Sequence, residues 1–143
     1  MLNLAGEIIP ESKVPARKPG MANQFNQDDI YVEMTFLRTM ELYGLDCSSR
    51  QAGIDFANSG YRLWHANRAG RDNLRKGVAP PDSGHPKYNS HADDIDFQIE
   101  ADFSGLIAPG MPNVLIGMGE TFGRLMNWGD GVLWRAVCGR HVC

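Results

Sequence analysis

Residues 23–34 read NQFNQDDIYVEM and residues 35–44 continue TFLRTMELYG. Ile30, Met34 and Leu37 recur at helical spacing, and so do Val32, Phe36, Met40 and Tyr43. Together they cover a wide apolar stripe, leaving Glu33, Arg38 and Glu41 for the remainder. The pattern predicts a largely buried helix over 28–44, ended by Gly44. Its mouth carries two adjacent acids, Asp28 and Asp29. One acid suffices to cap a helix and complement its dipole. Two carboxylates at the end of a buried helix are costly unless something positive pairs with them. No Lys or Arg lies within residues 30–37. The alternative to a cap is a hard cation, which carboxylate oxygens suit. Consecutive helical residues point about 100° apart. The pair therefore fits two neighbouring ions, or one ion shared with ligands from elsewhere.

Working outward, Ser48 and Gln51 form a capping-box pattern for a second helix, through Ala52, Phe56 and Ala57 to about Gly60. A third helix is expected from Tyr61 to Lys76, stopping at Gly77. The polar stretch APPDSGHPKYNSH reads as a long loop. A fourth helix is expected over Asp93 to Ile107, with Ile95, Ile99, Phe103 and Leu106 inward. Asp93, Asp96 and Glu100 share its other face, which reads as a solvated stripe. Pro112 suits the first turn of a fifth helix carrying Val114, Leu115, Met118, Phe122, Leu125 and Met126, after which WGDG breaks the chain. With no alternating strand and no internal repeat, the fold class is all-α.

The bulk properties narrow the function classes. The chain has 143 residues, 43% hydrophobic and 22% charged, which fits one soluble globular domain. A net charge of −3 without a basic stripe argues against nucleic acid and anionic membrane as partners. No apolar run is long enough for a membrane span, and the first residues lack the apolar core of a signal peptide. Residues 1–23 read as an extended Pro- and charge-rich arm. Cys47, Cys138 and Cys143 match neither a disulfide framework nor a zinc pattern, so a reduced, cytoplasmic setting is the expectation.

NQDDIYVEMTFL resembles the metal-binding T-D-D segment of the ADP-ribosylglycohydrolase family, the dinitrogenase-reductase-activating glycohydrolase-like proteins. GYRLWHANRAGRDN, HADDIDFQIEADFSGLIAPGMPN and GRLMNWGDGV look like a bacterial branch of that family, so the resemblance covers residues 24–132. It implies an all-α domain with two Mg²⁺ or Mn²⁺ ions in a cleft among its helices. The implied reaction is hydrolysis of the glycosidic bond joining ADP-ribose to a protein side chain or small acceptor. Asp28 and Asp29 become the implied metal ligands, acting on the substrate through the metals. A transition state of oxocarbenium character follows, as in glycoside hydrolysis generally. The sequence departs from the family at Gln27, where a threonine is expected, and at Ile30, where another is expected. The family's upstream glutamate helix and its later D-x-D motif have no counterpart in this chain. It therefore carries half of a two-sided metal site, and as it stands is expected to be inactive. A non-catalytic ADP-ribose or nucleotide binder is the alternative.

The tail VLWRAVCGRHVC has no helical period and holds two of the three cysteines. Residues 133–143 can be encoded so that a one-base shift reads YGGLFVAGMY, the continuation the family branch leads one to expect. The tryptophan codon forces glycine at the second shifted position whatever codons follow. A frameshift is the expectation, leaving Cys138, His141 and Cys143 without functional meaning.

Four further residues are candidate substrate contacts. His91, Asp93 and Asp94 lie in HADD at a helix start, where capping competes with ligand contact. Asp130 in WGDG reads first as a turn residue and second as a contact. His65 reads as a packed or exposed histidine and His85 as a loop residue. Trp64 and Trp128 read as core.

Overall fold

The computed structural model describes residues 28–133, with side chains from Ile30 to Val132. Every regular element among them is helical, so the all-α expectation holds. The elements are α1 (Asp28–Tyr43), α2 (Ser49–Asn58), α3 (His65–Arg75), α4 (Asp96–Glu100), α5 (Asp102–Ile107), α6 (Pro112–Phe122) and α7 (Asp130–Leu133). Two 3₁₀ turns, Asp82–Gly84 and Gly123–Leu125, complete the set. Among the described residues no helix is long and apolar enough to cross a membrane. The expected arm lies outside the described residues, as does the altered tail apart from the backbone of Leu133.

Local chemistry sets the helix ends. Gly44 follows α1 at φ +85 and its N–H donates to the Met40 carbonyl at 2.8 Å. That left-handed position suits only a residue without Cβ. Ser48 caps α2, and the capping box with Gln51 is complete in both directions. Gly77, at φ +87, closes the end of α3. Pro112 opens α6 at a position where its missing N–H costs nothing.

The core is built around Phe36 of α1. Its ring lies 6.2 Å from Phe56 of α2, 5.8 Å from Phe103 of α5 and 4.6 Å from Phe122 of α6. Val32, Phe97, Leu125 and Met126 close around this cluster, all fully buried. α1 packs on α2 and on α4, and α3 packs on α2, on α4 and on the Gly123–Leu125 turn.

Four expectations need correction. α1 is not largely buried: Val32, Phe36, Thr39 and Met40 face inward, while Ile30, Met34, Leu37 and Tyr43 are exposed. Among the described residues α1 packs along that one stripe, against α2 and α4. The third helix begins at His65 rather than Tyr61, since Tyr61 to Trp64 form an extended approach to it. The largest change concerns the fourth helix. It is divided at Ala101 into α4 and α5, and its polarity is reversed. Ile95, Ile99 and Leu106 point outward, whereas Asp96, Phe97, Glu100, Phe103 and Ser104 point inward. WGDG, expected to break the chain, instead leads into α7, with Gly129 turning at φ +52.

Close approach of α3 to residues 125–126 requires Gly70. A Cβ there would meet the Leu125 carbonyl oxygen at 2.6 Å and Met126 Cα at 2.8 Å. Backbone cannot yield as a side chain can, so Gly70→Ala is expected to cost about 1–3 kcal/mol. Gly117, exposed in α6 with nothing within 4 Å of its added Cβ, is the contrast. Gly117→Ala is expected to stabilise by about 0.5–1 kcal/mol through helix propensity. Urea unfolding of both variants checks the pair, and equal effects would contradict this packing.

Candidate functional site

α3 and α4 meet through polar groups rather than apolar ones. The Asn67 backbone N–H donates to Asp96 Oδ1 at 3.1 Å, and its side-chain amide donates to Glu100 Oε1. Asn67 is 1% exposed, Asp96 6% and Glu100 0%. Asp96 and Glu100 stand one turn apart, so both carboxylates leave the same face of α4. Burial pushes the Asp96 carboxyl above the usual carboxylate range, opposed by its backbone hydrogen bonds, that from Asn67 foremost. Asn67 Oδ1 is buried and has no hydrogen-bond partner among the described residues. An orphan acceptor beside two buried carboxylates is an oxygen-rich set that calls for a cation or a donor.

A second polar layer adjoins it. Thr35 Oγ1 of α1 and Tyr61 Oη share a hydrogen bond of 2.8 Å, and the Tyr31 and Tyr61 rings lie 5.5 Å apart. Burial raises the Tyr61 phenol from its ordinary range. Arg71 is 8% exposed and donates to the Tyr61 carbonyl at 2.7 Å and to Ser59 Oγ at 3.1 Å. Burial lowers its guanidinium from the ordinary value, and neighbouring Arg75 adds to that.

The rim is set by two buried asparagines. Asn89 Nδ2 donates to the Ala66 and Met126 carbonyls at 3.2 and 2.7 Å, and its Oδ1 accepts from the His91 N–H at 2.9 Å. Asn127 Nδ2 donates to the Ala92 and Asp94 carbonyls at 2.9 and 2.7 Å, and its Oδ1 accepts from the Phe97 N–H at 3.1 Å. The Trp128 N–H donates to the Ala92 carbonyl at 2.9 Å. HADD and WGDG therefore lie side by side.

The candidates chosen from sequence fall as follows. Asp28 and Asp29 form the first turn of α1, and their side chains lie outside the described residues. His91 and Asp94 come together, with Nδ1 and Oδ2 2.8 Å apart. Asp93 and Asp130 are exposed on the rim, Asp93 facing Gly129 and Asp130 opening α7. The Asp96 and Glu100 face expected to be solvated is interior, with only Asp93 outside. His65 joins His91 and Asp94, its Nδ1 3.4 Å from Asp94 Oδ2. Asn67 carries no sequence signal beyond its place in the expected third helix.

No family model, curated protein or solved structure matches this chain. The chemistry of the site must then be argued from its own donors.

The burial of Asp96 gives a stability test. Its folded carboxyl is raised, so the folded protein holds that proton more tightly than the unfolded chain. In metal-free protein this group's favourable contribution is present at acid pH and is lost as pH rises through the shifted range. Asp96→Asn keeps an acceptor for the Asn67 N–H and removes the charge. The variant is expected to melt higher than the parent at neutral pH. The advantage should fade once pH falls below the ordinary carboxylate range. Thermal melts in chelator across pH measure this, and a lower melting temperature at neutral pH would contradict it.

Proposed function

We propose that the complete protein is a metal-dependent hydrolase of ADP-ribosyl glycosidic bonds. Its substrate would be an ADP-ribosylated protein or a small ADP-ribosyl compound. One observation supports this most: two carboxylates and an orphan amide oxygen are buried together on α3 and α4, beside the helix that begins with Asp28 and Asp29. Such all-oxygen donors fit Mg²⁺ or Mn²⁺ and fit softer ions poorly. Asp28 and Asp29 would hold the ions, with Asp96, Glu100 and Asn67 as further oxygen donors. The bound ions would supply Lewis acidity and a more acidic water.

The chain's own groups would do the rest. Asn67, by donating to Glu100 and to Asp96, fixes both carboxylates before substrate arrives. Tyr61, tied to Thr35 and resting against Arg71, walls the polar interior beside α1. His91, Asp93, Asp94 and Asp130 on the rim would meet sugar hydroxyls or the acceptor.

The test is release of free ADP-ribose by two proteins: the chain of 143 residues and the version read through the one-base shift. Turnover is expected from the shifted version alone. It should be lost in chelator and restored by Mn²⁺ or Mg²⁺. Asp28→Ala and Asp29→Ala in that version are each expected to lower kcat by about 100-fold or more. Turnover indifferent to chelator, or full activity in either variant, would refute the proposal. ADP-ribose binding without turnover in the shifted version would favour the non-catalytic binder.

A further inference from the structure

His65, His91 and Asp94 each offer one ligand atom, and the three atoms lie within 4.8 Å of one another. Asp94 Oδ2 is the shared centre, 2.8 Å from His91 Nδ1 and 3.4 Å from His65 Nδ1. In a tetrahedral zinc site with bonds near 2.0–2.1 Å, neighbouring ligand atoms stand about 3.3 Å apart. The two separations from Asp94 Oδ2 bracket that value and the third lies within 4.8 Å, so modest side-chain rotations would close a site. The two imidazole rings cross edge to face, 5.5 Å between centroids at 81°, which keeps both nitrogens turned toward Asp94 without ring overlap.

The backbone positions all three. His65 is the only non-glycine residue at positive φ among the described residues, at +40. Such a conformation costs about 1–3 kcal/mol and persists only where the surroundings impose it. Asn89 fixes the His91 N–H, and Asn127 fixes the Asp94 carbonyl, both from the buried core. A cavity of about 480 Å³ opens beside the cluster, lined by Trp64, Arg68, Asp72 and Ser90 as well as the two histidines. Three protein ligands with open space alongside match the pattern of a site that keeps an exchangeable position.

We infer that His65, His91 and Asp94 form a second cation site, for a first-row transition ion such as Zn²⁺ or Co²⁺. Two imidazoles with one carboxylate select this class over Mg²⁺ and Mn²⁺. The site uses different residues and a different ion class from the α4 carboxylates, and it does not depend on the glycohydrolase reading. Arg68 on the cavity wall suits an anionic or oxygen-rich ligand at the open position.

The experiment is a Co²⁺ titration of the full chain carrying Cys138→Ser and Cys143→Ser, followed by visible absorption and by calorimetry. One Co²⁺ per chain is expected, with d–d bands and no thiolate charge-transfer band. His65→Ala and His91→Ala are each expected to weaken binding by more than about tenfold, the least that loss of even a supporting residue costs at such sites. Asp94→Asn, which keeps the side-chain size, is expected to do the same with unchanged far-ultraviolet circular dichroism. His85→Ala, at a ring that meets Trp128 edge to face, is expected to leave affinity unchanged. Absence of a Co²⁺ spectrum at excess metal, or equal affinity in the His65, His91 and Asp94 variants, would overturn the inference. Co²⁺ binding is read without any ADP-ribosyl substrate, so its failure is distinguishable from a failure of Mn²⁺-dependent ADP-ribose release, although His91 and Asp94 belong to both readings.

Discussion

The hydrogen bond from Asn67 to Glu100 is the contact on which the arrangement of α3, α4 and α1 depends. A carboxylate out of water costs several kcal/mol unless its neighbours replace the lost solvation. Asn67 supplies part of that replacement twice, through its side chain to Glu100 and its backbone to Asp96. Once Asp96 and Glu100 turn inward, the opposite face of α4 must turn outward. Ile95 and Ile99 are exposed for that reason. Phe103 stands seven residues after Asp96 and three after Glu100, so it keeps the same inward face across the division at Ala101 and reaches the aromatic cluster around Phe36.

Phe36 and the two buried asparagines divide the structural work. Phe36 holds α1 to α2, α5 and α6 by ring contacts, which are strong but tolerate small shifts. Asn89 and Asn127 instead bind carbonyls and N–H groups of fixed direction. They hold an irregular stretch, residues 89–95, that no helix ladder could hold. A rim built this way can present side chains from two distant loops with little freedom, which a binding site needs.

Much of the helical framework was legible in the sequence. The box at Ser48 and Gln51, the glycine stops at Gly44 and Gly77, and Pro112 all act locally, and each lies where its chemistry puts it. α4 was not legible in the same way. Periodicity gives the axis that separates two faces of a helix, and composition normally tells which face is inside. That rule assumes that acids prefer water, and it gives the wrong sign where acids are held by buried partners. The apolar stripe of α1 misled in a milder way, since residues fit for burial outnumber the neighbours available to cover them. His65 was unreadable because its partners come from another segment and its left-handed backbone leaves no trace in sequence.

One short segment turns its polar side chains in two directions. Within six residues, His91 faces the open cavity with His65 and meets Asp94, while Asp96 faces the interior with Asn67. Alternation of this kind follows from a turn leading into a helix, where successive side chains leave the axis in different directions. His91 and Asp94 sit where solvent can reach them, whereas Asp96 and Glu100 are buried beside Asn67. The segment from His91 to Glu100 therefore divides an exposed polar rim from a buried polar interior, with Asn127 fixing the crossover through the Asp94 carbonyl and the Phe97 N–H.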